Sequence, residues 1–316
     1  MSCRLGLWGG LSNEQGRSLL QALEPLLQFE VYALREGEEA PDFADDEEEH
    51  EQEGVWFRRQ SLPSAALDLE DIDILVLLAP WPQGAASLMQ HPALQVVDLS
   101  AQDSAALNAL QLARWHTLPS PALDLSLRVL HALRSLGLQQ VCLSSMEPVS
   151  MLSLTAPQYL VKETVDLLSG RGLPEDAYAQ QLAFNVSPIP AQQQQDLRQG
   201  ILRHLDAGAI DVQVLRVQVP VFYGLWQAFS LHFKRPWGLD AIVESLRLVD
   251  FQVSESAAAT TPAQLLAHSE ATPALICHVQ EGHDASHWQL YAGVDNLRFS
   301  VVKNLCELLQ NLEKLL

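Results

Sequence analysis

His278, His283 and His287 stand beside Glu281 and Asp284 in one short stretch, and a His-x-x-x-His spacing with carboxylates nearby could suggest a divalent metal site. Their setting points elsewhere. Glu281-Gly282-His283-Asp284 reads as a turn between Leu275-Ile276-Cys277-His278-Val279 and Trp288-Gln289-Leu290-Tyr291, so His283 and His287 share no helix face. A polar hairpin turn without metal is the expectation. Ser120 with Asp124 is not read as a catalytic triad, because no histidine can be assigned to it in space. Cys3, Cys142, Cys277 and Cys306 are scattered without Cys-x-x-Cys spacing, which fits reduced thiols rather than a disulfide framework or a paired-thiol zinc site.

The elements around these residues follow from hydrophobic period. Leu5-Gly6-Leu7-Trp8 is a short buried strand, Gly9-Gly10 turns the chain, and Ser12 to Leu27 has helical spacing. Strands are expected at Phe29 to Leu34, Ile72 to Ala79 and Val96 to Leu99, with a helix from Ala105 to Trp115. Strands alternating with helices give a parallel, doubly wound sheet over the first third of the chain. The pattern then changes. A helix from Asp124 to Leu136 ends at Gly137, and a strand runs from Gln140 to Ser145. Val212 to Phe222 sets Val217, Val219 and Val221 on one side and Arg216, Gln218 and Pro220 on the other, a half-buried strand of the kind usual in antiparallel sheets. Gln192 to Gln195 starts a helix, and Val301 to Leu316 is a terminal amphipathic helix.

With 316 residues and 48% hydrophobic content the chain is long enough for two domains. No stretch reaches the roughly 18 to 20 apolar residues needed to span a bilayer, and the first residues do not read as a signal peptide. A cytoplasmic protein is expected. A formal charge of -20 disfavours nucleic acid and anionic membranes as partners. Part of that charge is the run Asp45 to Glu53, read as a solvated, mobile loop.

Three segments, Gln181-Leu182-Ala183-Phe184-Asn185-Val186-Ser187-Pro188, Val219-Pro220-Val221-Phe222-Tyr223-Gly224 and Val294-Asp295-Asn296-Leu297-Arg298, resemble the aspartate-semialdehyde dehydrogenase family. Their wording is most similar to the Usg-type paralogues, a bacterial branch that keeps the fold while losing active-site residues. The resemblance implies an α/β plus α+β protein. Residues 1–117 with 299–316 would form a Rossmann-type NAD(P)-binding-like domain completed by the C-terminal helix, and 118–298 a central mixed or antiparallel-sheet domain that forms a homodimer.

The family reaction, as the resemblance implies it, needs a cysteine thiolate, a base, anion clamps and NADP. This chain departs from the pattern at every such position. The nucleophile place holds Ser120, the glutamine place Glu147, the substrate-arginine place Gln218 and the histidine place Leu225. A serine is far less ionised than a thiol, Leu225 moves no proton, Gln218 makes no guanidinium fork, and a carboxylate at Glu147 would repel an anionic substrate. The phosphate-binding arginine falls near Ser104, and the acidic and basic pair after Ala-Phe-Asn falls within Gln192 to Gln195. The glycine pattern of the dinucleotide loop becomes Gly10, Asn13 and Gly16, with a side chain at the close-approach position, and Arg35, the nearest cation for a 2'-phosphate, is flanked by Glu36, Glu38 and Glu39. Those four residues are vestigial cofactor contacts, and no cofactor, or NADP if any, is expected. The reading is a non-catalytic dimeric scaffold or regulatory partner, its own protein partner unnamed. The alternatives are an NADP-dependent aldehyde oxidoreductase of amino-acid biosynthesis and a metabolite or dinucleotide sensor without chemistry.

Overall fold

The computed structural model describes residues 3–9, 14–23, 29–36, 49–52, 55–62, 69, 72–100, 107, 109–153, 155–172, 178, 180–205, 210–268 and 275–316. The chain divides into two compact units, Met1–Leu118 with Val302–Leu316, and Pro119–Val301.

In the first unit the strands are β1 (Cys3–Trp8), β2 (Phe29–Glu36), β3 (Glu49–Gln52), β4 (Val55–Leu62), β5 (Ile74–Leu77), β6 (Gln95–Asp98) and β7 (Trp115–Thr117). The helices are α1 (Glu14–Leu23), α2 (Ala85–Leu88) and α3 (Ala109–Leu112), with Asn304–Glu313 joining from the end of the chain. Among the described residues the sheet order is β3-β4-β2-β1-β5-β6-β7, parallel except for the β3–β4 pair. The central strands are apolar along their length because both faces are covered. Leu5, Leu7, Ile74 and Val76 pack with Leu19, Leu23, Leu305, Leu309 and Leu312 on one side, while Leu75, Leu77 and Val96 pack with Trp81, Leu88 and Trp115 on the other. The C-terminal helix therefore completes the sheet's first face, as expected.

Two expectations fail here. The acidic run is not all loop, since Glu49–Gln52 pairs with β4 in the register Glu49↔Arg58 to Gln52↔Val55. A sheet edge tolerates charged residues, which discourage further pairing. Trp115 does not end a helix. It opens β7, pairing with Val96, because the backbone there extends the sheet and buries the indole.

The second unit contains α4 (Pro121–Arg134), β8 (Leu138–Glu147), α5 (Ala156–Leu168), β9 (Ser187–Pro188), α6 (Ala191–His204), β10 (Asp211–Gln218), β11 (Leu225–Phe233), α7 (Leu239–Arg247), β12 (Phe251–Val253), α8 (Pro262–His268), β13 (Leu275–Glu281) and β14 (His287–Val294). Its order among the described residues is β12-β13-β14-β11-β8-β10-β9. The sheet is mixed, with β8–β10 and β12–β13 parallel and the remaining pairs antiparallel. β10 thus departs from the antiparallel expectation, because the long connection carrying α5 and α6 returns the chain in the same direction. The glutamine tract lies in the first turns of α6, as its position suggested.

One face of this sheet is dry. Val141, Leu143, Phe229, Leu231, Leu290 and Ala292 meet Leu125, Val129 and Leu133 of α4, Leu197 and Ile201 of α6, and Ile242 and Leu246 of α7. The other face carries Cys142, Leu215, Ser230 and the stacked pair Trp226–Tyr291, with ring centroids 5.5 Å apart. Among the described residues no helix is long and apolar enough to cross a membrane.

The turn after β1 explains one glycine. Gly9 has φ of 78°, and a Cβ there would lie 2.6 Å from the Ala79 Cβ. Gly9→Ala should therefore lower unfolding stability by about 2 to 4 kcal/mol, from left-handed strain plus overpacking. Urea denaturation checks this, and an unchanged midpoint would refute it.

Candidate functional site

The residues singled out at the catalytic positions converge on the helix-covered face of the second sheet, around the carboxyl ends of β8 and β10. α4 begins beside them. Ser120 is its N-cap and accepts a hydrogen bond from Leu123 N at 3.3 Å, and Pro121 follows at the first helical position, where its missing N–H costs nothing. Asp124 is drawn to Arg128 at 3.0 Å rather than to Ser120. Ser120 is thus a helix cap.

Strand parity puts Ser145 and Glu147 of β8, Arg216 and Gln218 of β10, and Leu225 and Gln227 of β11 on the covered side. This reverses the side expected for β10. Val212, Val214, Arg216 and Gln218 face inward, Leu215 is 55% exposed, and Val219 onward has left the strand. The inward polar pair is satisfied by a partner that the valine pattern alone did not reveal.

That partner is Glu147. Its side chain is 3% exposed and meets the Arg216 guanidinium in a two-pronged ion pair, Nε to Oε1 at 2.5 Å and Nη2 to Oε2 at 2.8 Å. Arg216 Nη1 donates to Gln193 O at 2.7 Å, and Gln218 Nε2 donates to Glu147 O at 2.6 Å. Ser145 Oγ donates to Glu147 Oε1 at 3.1 Å and accepts from Gln227 Nε2 at 3.3 Å. Gln227 also donates to Ala122 O at 2.9 Å and accepts from Ser126 Oγ at 3.1 Å. A continuous hydrogen-bonded chain therefore runs from the first turn of α4 to the start of α6. Glu147 is not the free negative charge expected from its type, because Arg216 neutralises it.

Leu225, expected from the resemblance to stand at the histidine place, is fully buried and pairs with Val294. The structure brings Glu147 and Gln218 into direct contact, while Ser120 serves its own helix. Gly10, Asn13 and Ser104 lie outside the described residues, Gly16 falls within α1, and Arg35 is on β2 opposite Ser61 of β4. The thiols offer no substitute nucleophile in the cores. Burial pushes Cys277 up to about 12 and, with nearby carboxylates adding to it, raises Cys3 and Cys306 to about 11.

Sequence reasoning missed Arg216, Ser145, Gln227 and Ser126 as a set. The available signal was the i, i+2 spacing of Ser145 with Glu147 and of Arg216 with Gln218, which puts each pair on one face of its strand. The hairpin between β13 and β14 forms as read, with no helix face shared, and its turn brings ligand atoms of His283, Asp284 and His287 within 4.8 Å of one another.

The three quoted segments have structural work. Leu182 N and Ala183 N both donate to Glu163 Oε2, at 2.8 and 2.6 Å, and Phe184 takes φ of 57°. Val221 and Phe222 carbonyls accept from Val149 N and Ser150 N. Asn296 joins two loops, accepting from Gly224 N at 2.8 Å and donating to Ser150 Oγ at 3.1 Å, while Asp295 Oδ1 accepts from Leu297 N and Arg298 N.

Arg216→Met should cost about 3 to 5 kcal/mol of stability, because it strands a buried carboxylate, whereas the double change Glu147→Leu with Arg216→Met should recover most of it. Urea denaturation of the variants tests this. Loss of under about 1 kcal/mol in the single variant would contradict a structural ion pair.

The family described as semialdehyde dehydrogenase, dimerisation domain, matches residues 128–299. No curated protein matches in sequence. Among solved structures, aspartate semialdehyde dehydrogenase II from Vibrio cholerae is similar with a TM-score of 0.78 at 17% identity, covering 99% of both chains. A probable aspartate-semialdehyde dehydrogenase from Pseudomonas aeruginosa gives 0.75 at 18%, also over 99% of both. The aspartate semialdehyde dehydrogenase from Francisella tularensis gives 0.72 at 13%, over 97% of this chain and 99% of that one. At these identities the likeness is one of fold.

Proposed function

The chain belongs to the semialdehyde dehydrogenase family through its dimerisation domain, and from that premise we propose that it is a dimeric, non-catalytic homologue acting through its surface as a scaffold or regulatory partner. The Usg-type branch is the group it fits. The observation carrying this reading is the closed Glu147–Arg216 pair, which uses the guanidinium at the ends of β8 and β10 on the protein's own carboxylate and on the Gln193 carbonyl. A substrate carboxylate there would have to displace a bidentate partner. Leu225 and Gln218 supply neither proton transfer nor a charged clamp, and Ser120 is engaged as a helix cap.

A dinucleotide is left out of the proposed function. Gly9 is accounted for by its approach to Ala79, Asn13 replaces the middle glycine of the sequence pattern, and Arg35 sits among glutamates in sequence. A cytoplasmic setting is part of the same proposal.

Purified protein given aspartate semialdehyde, phosphate and NADP should show no turnover above background, and NADP should leave the melting temperature unmoved. Turnover that Ser120→Ala abolishes would overturn the reading.

The homodimer is supported by the family and by apolar surface on the second unit, where Leu215, Phe184 and Val186 are 55%, 65% and 59% exposed. Sedimentation should give about twice the 35.0 kDa chain mass. Leu215→Glu, set in the open sheet face, should shift the equilibrium toward monomer, and a monomeric wild type would refute the dimer.

A further inference from the structure

The β13–β14 turn holds a cluster that the proposed function does not use. His283 Nε2 is 3.2 Å from Asp284 Oδ2, and His287 Nδ1 is 2.9 Å from Asp284 Oδ1. The two imidazole rings have centroids 3.8 Å apart, and one potential ligand atom from each of the three residues lies within 4.8 Å of the others. Donors on one tetrahedral zinc-class ion stand roughly 3.3 Å apart, from bonds of about 2.0 to 2.1 Å. His283 is 72% exposed, so rotation of its ring can close that difference.

The turn is held in place by bonds independent of any ion. Gly282 N donates to His287 O at 2.7 Å and His287 N to Asp284 O at 2.9 Å. A Cβ on Gly282 would stand 2.7 Å from the same His287 oxygen, so the close return of the chain depends on glycine. From outside the turn, Phe233 N donates to Ser286 O and Trp237 N to Ala285 O, both at 2.9 Å, and Trp288 Nε1 reaches Ala285 O at 3.0 Å. His232 stacks on His287 with centroids 4.3 Å apart, backing its ring. Ser286 N–H and the Ser286 hydroxyl both donate to Asp284 Oδ1, at 2.8 and 2.6 Å, and fix the orientation of the carboxylate.

We propose that His283, Asp284 and His287 form a binding site for a divalent transition-metal ion of the zinc class on the β13–β14 turn. Two imidazoles with one carboxylate suit zinc, nickel or copper better than magnesium or calcium, which favour all-oxygen sets. Binding replaces ring protons at the histidine nitrogens with the metal, and three protein ligands leave room for water in the remaining position. A helix is not needed for the His-x-x-x-His spacing to converge, because the turn doubles the chain back and the two Asp284 carboxylate oxygens each meet a ring nitrogen of a different histidine. The site stands or falls independently of the proposed function.

Full-length protein stripped with chelator and titrated calorimetrically with zinc chloride, then with nickel chloride, tests the site. Saturable one-to-one binding is expected, weakened about tenfold or more by His283→Ala and by His287→Ala, and unchanged by His204→Ala on α6. If His287→Ala fails to fold, His283→Ala decides, because its exposed side chain leaves the backbone bonds of the turn intact. No binding of either ion, or equal affinity in wild type and His283→Ala, would overturn the proposal.

Discussion

A carboxylate and a guanidinium taken out of water each lose hydration worth several kcal/mol, and only close geometry with the remaining hydrogen bonds filled offsets that loss. Glu147 and Arg216 meet the condition because neighbouring elements deliver partners to the same place: Ser145 from β8, the Gln193 carbonyl from α6, and Gln227, which passes the connection on to Ala122 in α4. The pair thereby ties the end of β10 to β8, and the bonds around it reach both helices. A charge pair of this kind is costly to break and adds little net stability, so its main effect is to specify one arrangement of these ends.

The same pair changes how the site is understood. From residue types alone, Glu147 stands as an unbalanced negative charge. In three dimensions the end of the sheet is electrically closed, with Gln218 held on the Glu147 carbonyl and Leu225 sealed in the core. The Ala-Phe-Asn, Val-Pro-Val-Phe-Tyr-Gly and Asp-Asn-Leu-Arg segments belong to the same economy of fixed loops: Glu163 holds the first by two backbone N–H groups, and Asn296 holds the second. Their legibility in the sequence reflects the backbone demands of the fold.

How much was readable follows from what each signal encodes. Period gave the apolar strands Ile74–Leu77 and Gln95–Asp98 and the helices Pro121–Arg134 and Asn304–Glu313, because burial on one or both faces leaves a repeating mark. It did not give Val55–Leu62, which pairs with the charged strand Glu49–Gln52 as well as with Phe29–Glu36, nor the direction of β10, which depends on what the connection does. The inward face of β10 was misread because valine outweighs arginine in any hydrophobic count, whereas a buried arginine is decided by its partner 69 residues away. The His283–His287 cluster was hidden for a related reason, since proximity there comes from a turn and leaves no helical period.

The helix Asn304–Glu313 packs Leu305, Leu309 and Leu312 onto the face made by Leu5, Leu7, Ile74 and Val76. Along the chain those strands precede the second unit and the helix that covers them follows it. Closure of that apolar face is therefore a contact of very large sequence separation, a kind that costs much loop entropy and forms slowly. The second unit, contiguous from Pro119 to Val301, needs no such distant segment to complete its core.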